Sequence, residues 1–537
     1  MSQKESKSSF LGGAAVLATA VVIVKLIGAV YKIPLGNILG SEGNAYFNVA
    51  YNIYNVLLIA CIAGFPLAVS KLTSQAVAMG RHNERRKLFT TALRLFFCVG
   101  ATSALVMFFG NELLAEFMNE PNAALAIRTM APAVFCVAML DCMRGYTQGQ
   151  GIMKLTAATQ ILEAVCKLCV GLSLAYYFLR TGYGLNVAVA GAVAGVTTGT
   201  VLCLLVLSLY LFTHRNPVYS VDVPLDRPQL LRRILLIGVP ITLSNSTMSV
   251  ITLVDTKIVL GQLKTIPELA DQAATLYGQY TFGINLMTLP SSFVSPVTLS
   301  LIPFAAAAMA RQDGAAANRI ISSAFRLIAL LAIPAGVGLS VLAGPLLLML
   351  YPAQVEDAVA AAPHLQVLGI ACIFICLMTL SNAVLQSYGK ERLPIATMLI
   401  GGLVKISMNY VLVGNPEINI NGAPISTLCC YMTIAGLNLF FVWKYSPQKP
   451  DYFALFAKPT VAAVLMGAAA WSACGLVHTV MEGAMSEYMV NALGALIGIG
   501  CGVIVYGVLV ILLRILQAED VRALPKGEKL VKLLRLK

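Results

Sequence analysis

Apolar segments long enough to cross a bilayer follow one another along almost the whole chain, and that succession limits the fold to membrane-spanning helices. With a window of about 20 residues, the helical length that spans the hydrocarbon layer, seven fall near 11–34, 45–72, 88–109, 122–146, 153–179, 185–212 and 232–261. Seven more fall near 274–303, 320–343, 361–387, 394–413, 422–443, 455–478 and 490–513. The expected fold class is an all-α integral membrane protein with fourteen transmembrane helices. The balance of the 537 residues agrees: 58% are hydrophobic, 11% are charged, and the mean hydropathy is +0.81. The first run follows Lys4 and Lys7 as a secretory signal would, but it is longer than a signal core and no small-residue cleavage site follows it.

Basic residues in short loops set the orientation. Alternate loops carry Arg81, Arg85, Arg86 and Lys87, then Lys154, then Arg215, Arg227, Arg232 and Arg233. The series continues with Arg311 and Arg319, then Lys390 and Arg392, then Lys444, Lys449 and Lys458. These loops are expected in the cytoplasm. The intervening loops have only Arg180 and Lys264 as cations, and several are acidic, as in NELLAEFMNE at 111–120 and YPAQVEDAV at 351–359. Both termini are then cytoplasmic. The formal charge of +13 follows from this topology rather than from a nucleic-acid partner. The tail VRALPKGEKLVKLLRLK at 521–537 either lies on anionic membrane lipids or is simply solvated.

Thirteen cysteines sit in apolar spans and read as small apolar side chains, Cys166 and Cys169 included. His82, His214, His364 and His478 lack metal-ligand spacing, so no metal site is expected. There is no GxxxxGK[ST] phosphate loop and no nucleophile constellation, so neither an ATPase nor another enzyme is expected, and no cofactor.

The chain also repeats itself. KIPLGNI from Lys32 returns as KIVLGQL from Lys257, offset by 225. Asn55, Pro66 and Ser70 return as Asn285, Pro296 and Ser300, offset by 230, and ALRL at 92–95 returns as AFRL at 324–327, offset by 232. Gln148, Gly151, Lys154, Leu155 and Lys167 return as Gln386, Gly389, Arg392, Leu393 and Lys405, offset by 238. The offsets grow steadily, as loop insertions would make them. Six spans per half implies a parallel repeat, a known transporter plan. The expected organisation is an N-lobe over 1–213, a cytoplasmic linker over 214–233, a C-lobe over 234–446, two added spans in 447–513 and a basic tail over 514–537.

A charge at mid-bilayer costs about 2.5 to 3.5 kcal/mol on insertion scales, so those retained face a protein interior or a wet cavity. Lys25 and Lys32 lie in the outer half of span 1, Asp255 and Lys257 in the outer part of span 7, and Lys167 and Lys405 near the middles of spans 5 and 11. Glu163 is one turn before Lys167 and on its face. Structural pairs, Glu163 with Lys167 and Asp255 with Lys257 or Lys25, are one reading, with Lys32 snorkelling to the interface. The other makes the lysines a cationic cavity for an anion such as a diphosphate, which favours Lys167 and Lys405 because a mid-span ammonium reaches water only if a cavity comes to it. Asp141 and Arg144 form either an intracellular gate pair or a plain helix-end pair. Pro66 and Pro296 are repeat partners, so spans 2 and 8 are expected to bend alike, as hinges or as packing kinks. GAVAGVTTG at 191–199 reads as a close-packing face.

The stretches KLIGAVYKIPLGNILGSEGNAYFNVAYNIYNVLL, AGFPLAVSKLTSQAV, MRGYTQGQGIMKLTAATQILEAVCKL and LQSYGKERLPIATMLIGGLVKISMNYVLV resemble the polysaccharide-export branch of the multidrug/oligosaccharidyl-lipid/polysaccharide exporter superfamily. The likeness is to the stage V sporulation protein B group and the Gram-positive lipid II flippases, over about residues 10 to 445. It implies two six-helix lobes plus two helices, and a cationic central cavity lined largely by spans 1, 2, 7 and 8. The implied activity is movement of an undecaprenyl-diphosphate-linked saccharide to the outer leaflet by alternating access, driven by membrane potential or an ion gradient. It also implies a monomeric transporter, with wall-synthesis proteins as candidate partners. The two basic positions of span 1 are Lys25 and Lys32 here. Gram-negative flippases carry an arginine in span 8 where this chain has Asn285, a departure that breaks the carry-over of their arginine set and ion coupling. Lys25, Lys32, Lys257, Lys167, Lys405 and Asn285 are therefore the candidate substrate contacts, and Asp255 and Glu163 the candidate ion-coupling or charge-pair residues. A drug antiporter of the same superfamily would use a cavity carboxylate, for which Asp255 is the candidate. A membrane scaffold has no need of intramembrane charge.

Overall fold

The computed structural model describes residues 3–62, 64–214, 221–310, 313–446, 448–481 and 485–515, and among them every regular element is helical. The basic tail, apart from Arg514 and Ile515, lies outside the described residues, as do 215–220 of the linker. Two compact units emerge: Met1–Lys264 with Asp271–Thr275, and Thr265–Ala270 with Leu276–Lys537. In chain order the helices leading through the first are α1 (Gln3–Ile62), α2 (Phe65–Ala78), α3 (His82–Phe109), α4 (Asn111–Phe117), α5 (Ala124–Gly149), α6 (Met153–Arg180), α7 (Leu185–Thr213) and α8 (Arg227–Thr265). The rest are α9 (Ala273–Ala310), α10 (Gly314–Val341), α11 (Ala343–Leu350), α12 (Val355–Ser387), α13 (Arg392–Leu412), α14 (Gly422–Tyr445), α15 (Tyr452–Met481) and α16 (Glu487–Leu512).

Among the described residues, eleven helices are long and apolar enough to cross a membrane, or twelve if Arg227–Leu243 and Ser246–Thr265, bent by 44°, count as one span. The chain is a multi-pass membrane protein. Part of the difference from fourteen has a plain cause: the first two expected spans share the single run Thr19–Ile59, whose 41 residues are about twice what one crossing needs. Its break is Gly40, at φ 71° and ψ −174°, a conformation open essentially to glycine alone.

The second expected span bends where α1 gives way to α2, with Pro66 in the first turn of α2, where its missing N–H costs nothing. Gly64 makes this break possible. Its N–H donates to Thr242 Oγ1 at 2.9 Å, and a Cβ there would lie 2.2 Å from the Gly238 carbonyl oxygen. At the matching proline of the sequence repeat, α9 runs on as one helix through Pro290 and Pro296 rather than ending and restarting. At the offset of 230, Val294 stands where Gly64 does, so the glycine that opens the first break is missing. The Pro296 side chain lies outside the described residues.

Packing follows one pattern in each unit. In the first, α3 packs on α5, α5 on α7 and α6 on α7; in the second, α10 packs on α12, α12 on α14 and α13 on α14. The glycines of α7 admit the close α6 contact, since a Cβ on Gly195 would sit 2.5 Å from the Gly171 Cα. The added helices α15 and α16 pack on each other, with α15 also on α10 and α16 on α11.

Helix α8, expected to open the C-lobe, belongs to the first unit. Asn52 donates to Thr256 Oγ1 at 3.0 Å, Asn119 to the Lys257 carbonyl at 3.3 Å, and Lys264 pairs with Glu120 at 3.4 Å. Glu120 lies in the connection after α4, where burial pushes its carboxyl above the usual range and Lys264 opposes that shift. The linker is held too: the Asp222 carboxylate accepts the N–H groups of Asn83 and Glu84 at 3.0 and 2.9 Å, satisfying orphan donors at the start of α3.

Candidate functional site

The strongest concentration of intramembrane charge lies in the first unit, where α1, α5 and α6 meet. Glu163 and Lys167 sit one turn apart on α6, but they do not pair. The Glu163 carboxylate takes Arg144 Nη2 at 3.0 Å, and Arg144 also reaches Asp141 at 3.3 Å and donates from Nε to Thr159 Oγ1 at 3.1 Å. The expected pairing within the α6 helix is thus replaced by one across helices. A bridge to a buried guanidinium, 6% exposed, leaves less charge uncompensated than an i,i+4 pair would. Asp141 and Arg144 do form an ion pair, inside a three-charge network rather than alone.

Lys167 is left without a carboxylate. Its ammonium donates to Tyr51 Oη at 3.4 Å and lies 4.5 Å from the Tyr51 ring centroid, 4.9 Å from Tyr31 and 6.0 Å from Phe47. The rings support one another: Phe47 stacks on Tyr51 at 5.6 Å, and Tyr31 fixes itself by donating to the Ala192 carbonyl at 3.3 Å. Such a cradle holds an ammonium by electrostatic attraction to the ring faces while leaving N–H donors available. Lys32, half-buried on α1, is close enough to Lys167 for the two charges to interact. Among the described residues neither lysine makes an ion pair with a carboxylate.

The other expected contacts lie elsewhere. Lys25 is exposed on α1, and Asp255 is buried on α8. Lys257 places its ammonium 3.4 Å from the centroid of the Phe117 ring. In the second unit Lys405 is half-buried on α13, and Asn285 is buried on α9 beside Tyr351, which stacks on Phe282 at 4.2 Å. No set of His, Cys, Asp or Glu among the described residues could hold a metal ion.

Sequence reasoning missed the aromatic cradle, although a signal was present. In YFNVAYNIYN at 46–55, aromatic–Asn pairs recur at 47–48, 51–52 and 54–55, which puts rings along one side of α1 and amides along the next.

Residues 10–309, more than half the chain, match the family described as polysaccharide biosynthesis protein. The chain belongs to that family. This member is 28% identical to the uncharacterized membrane protein YabM of Bacillus subtilis over 533 residues, covering 97% of this chain and 96% of the relative. It is 23% identical to the lipid II flippase MurJ of the same organism, covering 91% and 94%. A solved structure of the lipid II flippase MurJ in an inward closed conformation matches with a TM-score of 0.68 at 14% identity, covering 92% of this chain and 99% of that one. The family member shares that fold, and its resemblance to the exporter superfamily holds.

Proposed function

We propose that the protein is a flippase that carries a polyprenyl-diphosphate-linked saccharide across the cytoplasmic membrane by alternating access, with the peptidoglycan precursor lipid II as the foremost candidate cargo. The observation that carries this reading is the pair Lys32 and Lys167, two neighbouring ammoniums in the α1–α6 region with no carboxylate partner among the described residues. Two like charges held together repel, and an anion bearing two negative phosphates relieves that repulsion while the aromatic cradle keeps Lys167 in place. Lysine makes a point-charge contact that can be formed and then released, as transport requires. The kinship with lipid II flippase MurJ supports the same cargo.

The proposed topology has fourteen spans, with Thr19–Ile59 crossing twice, both termini cytoplasmic, and two six-helix lobes related by a parallel repeat. The matching packing of α3, α5, α6 and α7 with α10, α12, α13 and α14 supports the repeat. A drug antiporter would need an available carboxylate; Asp141 and Glu163 are both committed to Arg144, which leaves Asp255, buried on α8, as the candidate of that second reading. The test is rescue of a flippase-depleted strain. Lys32→Gln and Lys167→Gln each abolish rescue at normal membrane abundance, and full rescue by both variants contradicts the reading.

A further inference from the structure

A second polar feature of the first unit is not absorbed by the lysine pair. Between α1 and α8 lies a narrow cleft lined by Asn52, Asn55, Met248, Ser249 and Thr252. It carries no charge, and it meets α8 near its middle and α1 in its last three turns, within apolar segments where polar groups are costly unless something polar meets them. Asn52 is engaged with Thr256, and the Thr252 hydroxyl donates to the Met248 carbonyl at 2.9 Å. The Asn55 amide and the Ser249 hydroxyl, both half-exposed, have no protein partner among the described residues. The cleft therefore offers an amide with two donors and an acceptor, an adjacent hydroxyl, and the pliable apolar side chain of Met248.

From this geometry we infer that the cleft binds the acetamido group of an N-acetylated sugar on the transported lipid. An acetamido group has one N–H, one carbonyl and one methyl, and the Asn55 carboxamide, Ser249 hydroxyl and Met248 thioether answer these in turn. Being neutral, the cleft is unsuited to phosphate and separates sugar recognition from charge recognition. Position supports the division. Asn55 is four residues after Tyr51 on α1, just over one turn or roughly 6 Å along the axis from the residue whose ring holds Lys167. A diphosphate at Lys167 thus has its first sugar within reach of the cleft. The inference rests on the flippase reading and adds the sugar class to it.

The test uses the purified full-length protein in lipid nanodiscs and three probes: undecaprenyl diphosphate, undecaprenyl-diphosphoryl-glucose and undecaprenyl-diphosphoryl-N-acetylglucosamine. The wild type binds the N-acetylglucosamine lipid about tenfold more tightly than the glucose lipid, the scale of one or two hydrogen bonds made or lost. Asn55→Leu and the milder Ser249→Ala each reduce that ratio toward one. Lys167→Gln weakens all three lipids and keeps the ratio. If the wild type binds both sugar lipids equally while Lys167→Gln still weakens every probe, the inference fails and the flippase reading stands. If none of the three lipids binds, the flippase reading fails and takes the inference with it.

Discussion

At the offset of 238 residues, Arg144, Thr159, Glu163 and Lys167 of the first unit correspond to Asn382, Thr397, Gly401 and Lys405 of the second. The same helix packing is thus tied by two kinds of polar link. In the first unit the threonine hydroxyl serves a guanidinium flanked by two carboxylates. In the second, the Thr397 hydroxyl donates to Asn438 Oδ1 at 2.7 Å, and the Asn438 amide donates to Asn382 Oδ1 at 2.7 Å, a buried chain with no formal charge. Where Glu163 reaches across to Arg144, Gly401 leaves room for Ile434, whose side chain a Cβ would meet at 2.3 Å. The difference teaches that the packing needs a polar tie but not a charged one. Placing Glu163 one turn from Lys167 while binding it to Arg144 keeps a carboxylate near the lysine without neutralising it.

The largest expected effect breaks the charged side of the comparison. Arg144→Gln leaves the half-buried Asp141 and Glu163 without their cation and destabilises the protein by about 3 kcal/mol, the low end for a broken buried pair. Adding Asp141→Asn and Glu163→Gln converts the site to the neutral kind and recovers most of that loss in a thermal melt of detergent-purified protein. A triple variant no more stable than Arg144→Gln alone would show that the charges themselves are required. A smaller effect is expected on the neutral side: Asn438→Leu takes the donor from Asn382 Oδ1 and leaves the Thr397 hydroxyl only the Pro394 carbonyl, at a cost of about 1–2 kcal/mol in the same melt.

The smallest effect concerns Glu120. Burial raises its carboxyl in the fold, so the folded state binds the proton more readily than the unfolded chain does. The wild type therefore gains stability relative to Glu120→Gln as pH falls from 7 toward 5, and melts at several pH values would show the gap between the two closing or reversing. An unchanged gap would mean that Lys264 fully offsets the burial.

Much of the bundle was legible from apolar length, and the close-packing face of α7 from its glycine spacing, because both are local properties of the chain. The expected pairing of Glu163 with Lys167 failed because i,i+4 spacing says which groups share a face, not which distant group takes them; Arg144 on α5 does so. Of the bends expected in spans 2 and 8, only the first coincides with a break between helices, where Gly64 stands; α9 runs on through the matching position, occupied by Val294. Lys32 and Lys167 were both visible as intramembrane cations, whereas their proximity and the ring cradle depend on α1 lying against α6, a long-range contact that no periodicity encodes.

The account's central claim is that the Lys32 and Lys167 pair carries a diphosphate lipid across the membrane. Its most direct test is translocation of lipid II in proteoliposomes with an imposed membrane potential, a force of about 2.3 kcal/mol per charge per 100 mV. The account predicts exposure at the far leaflet well above that in protein-free vesicles, and a fall to background in Lys167→Gln protein that reconstitutes normally. Wild-type translocation equal to that of protein-free vesicles, or unchanged in Lys167→Gln, would contradict it.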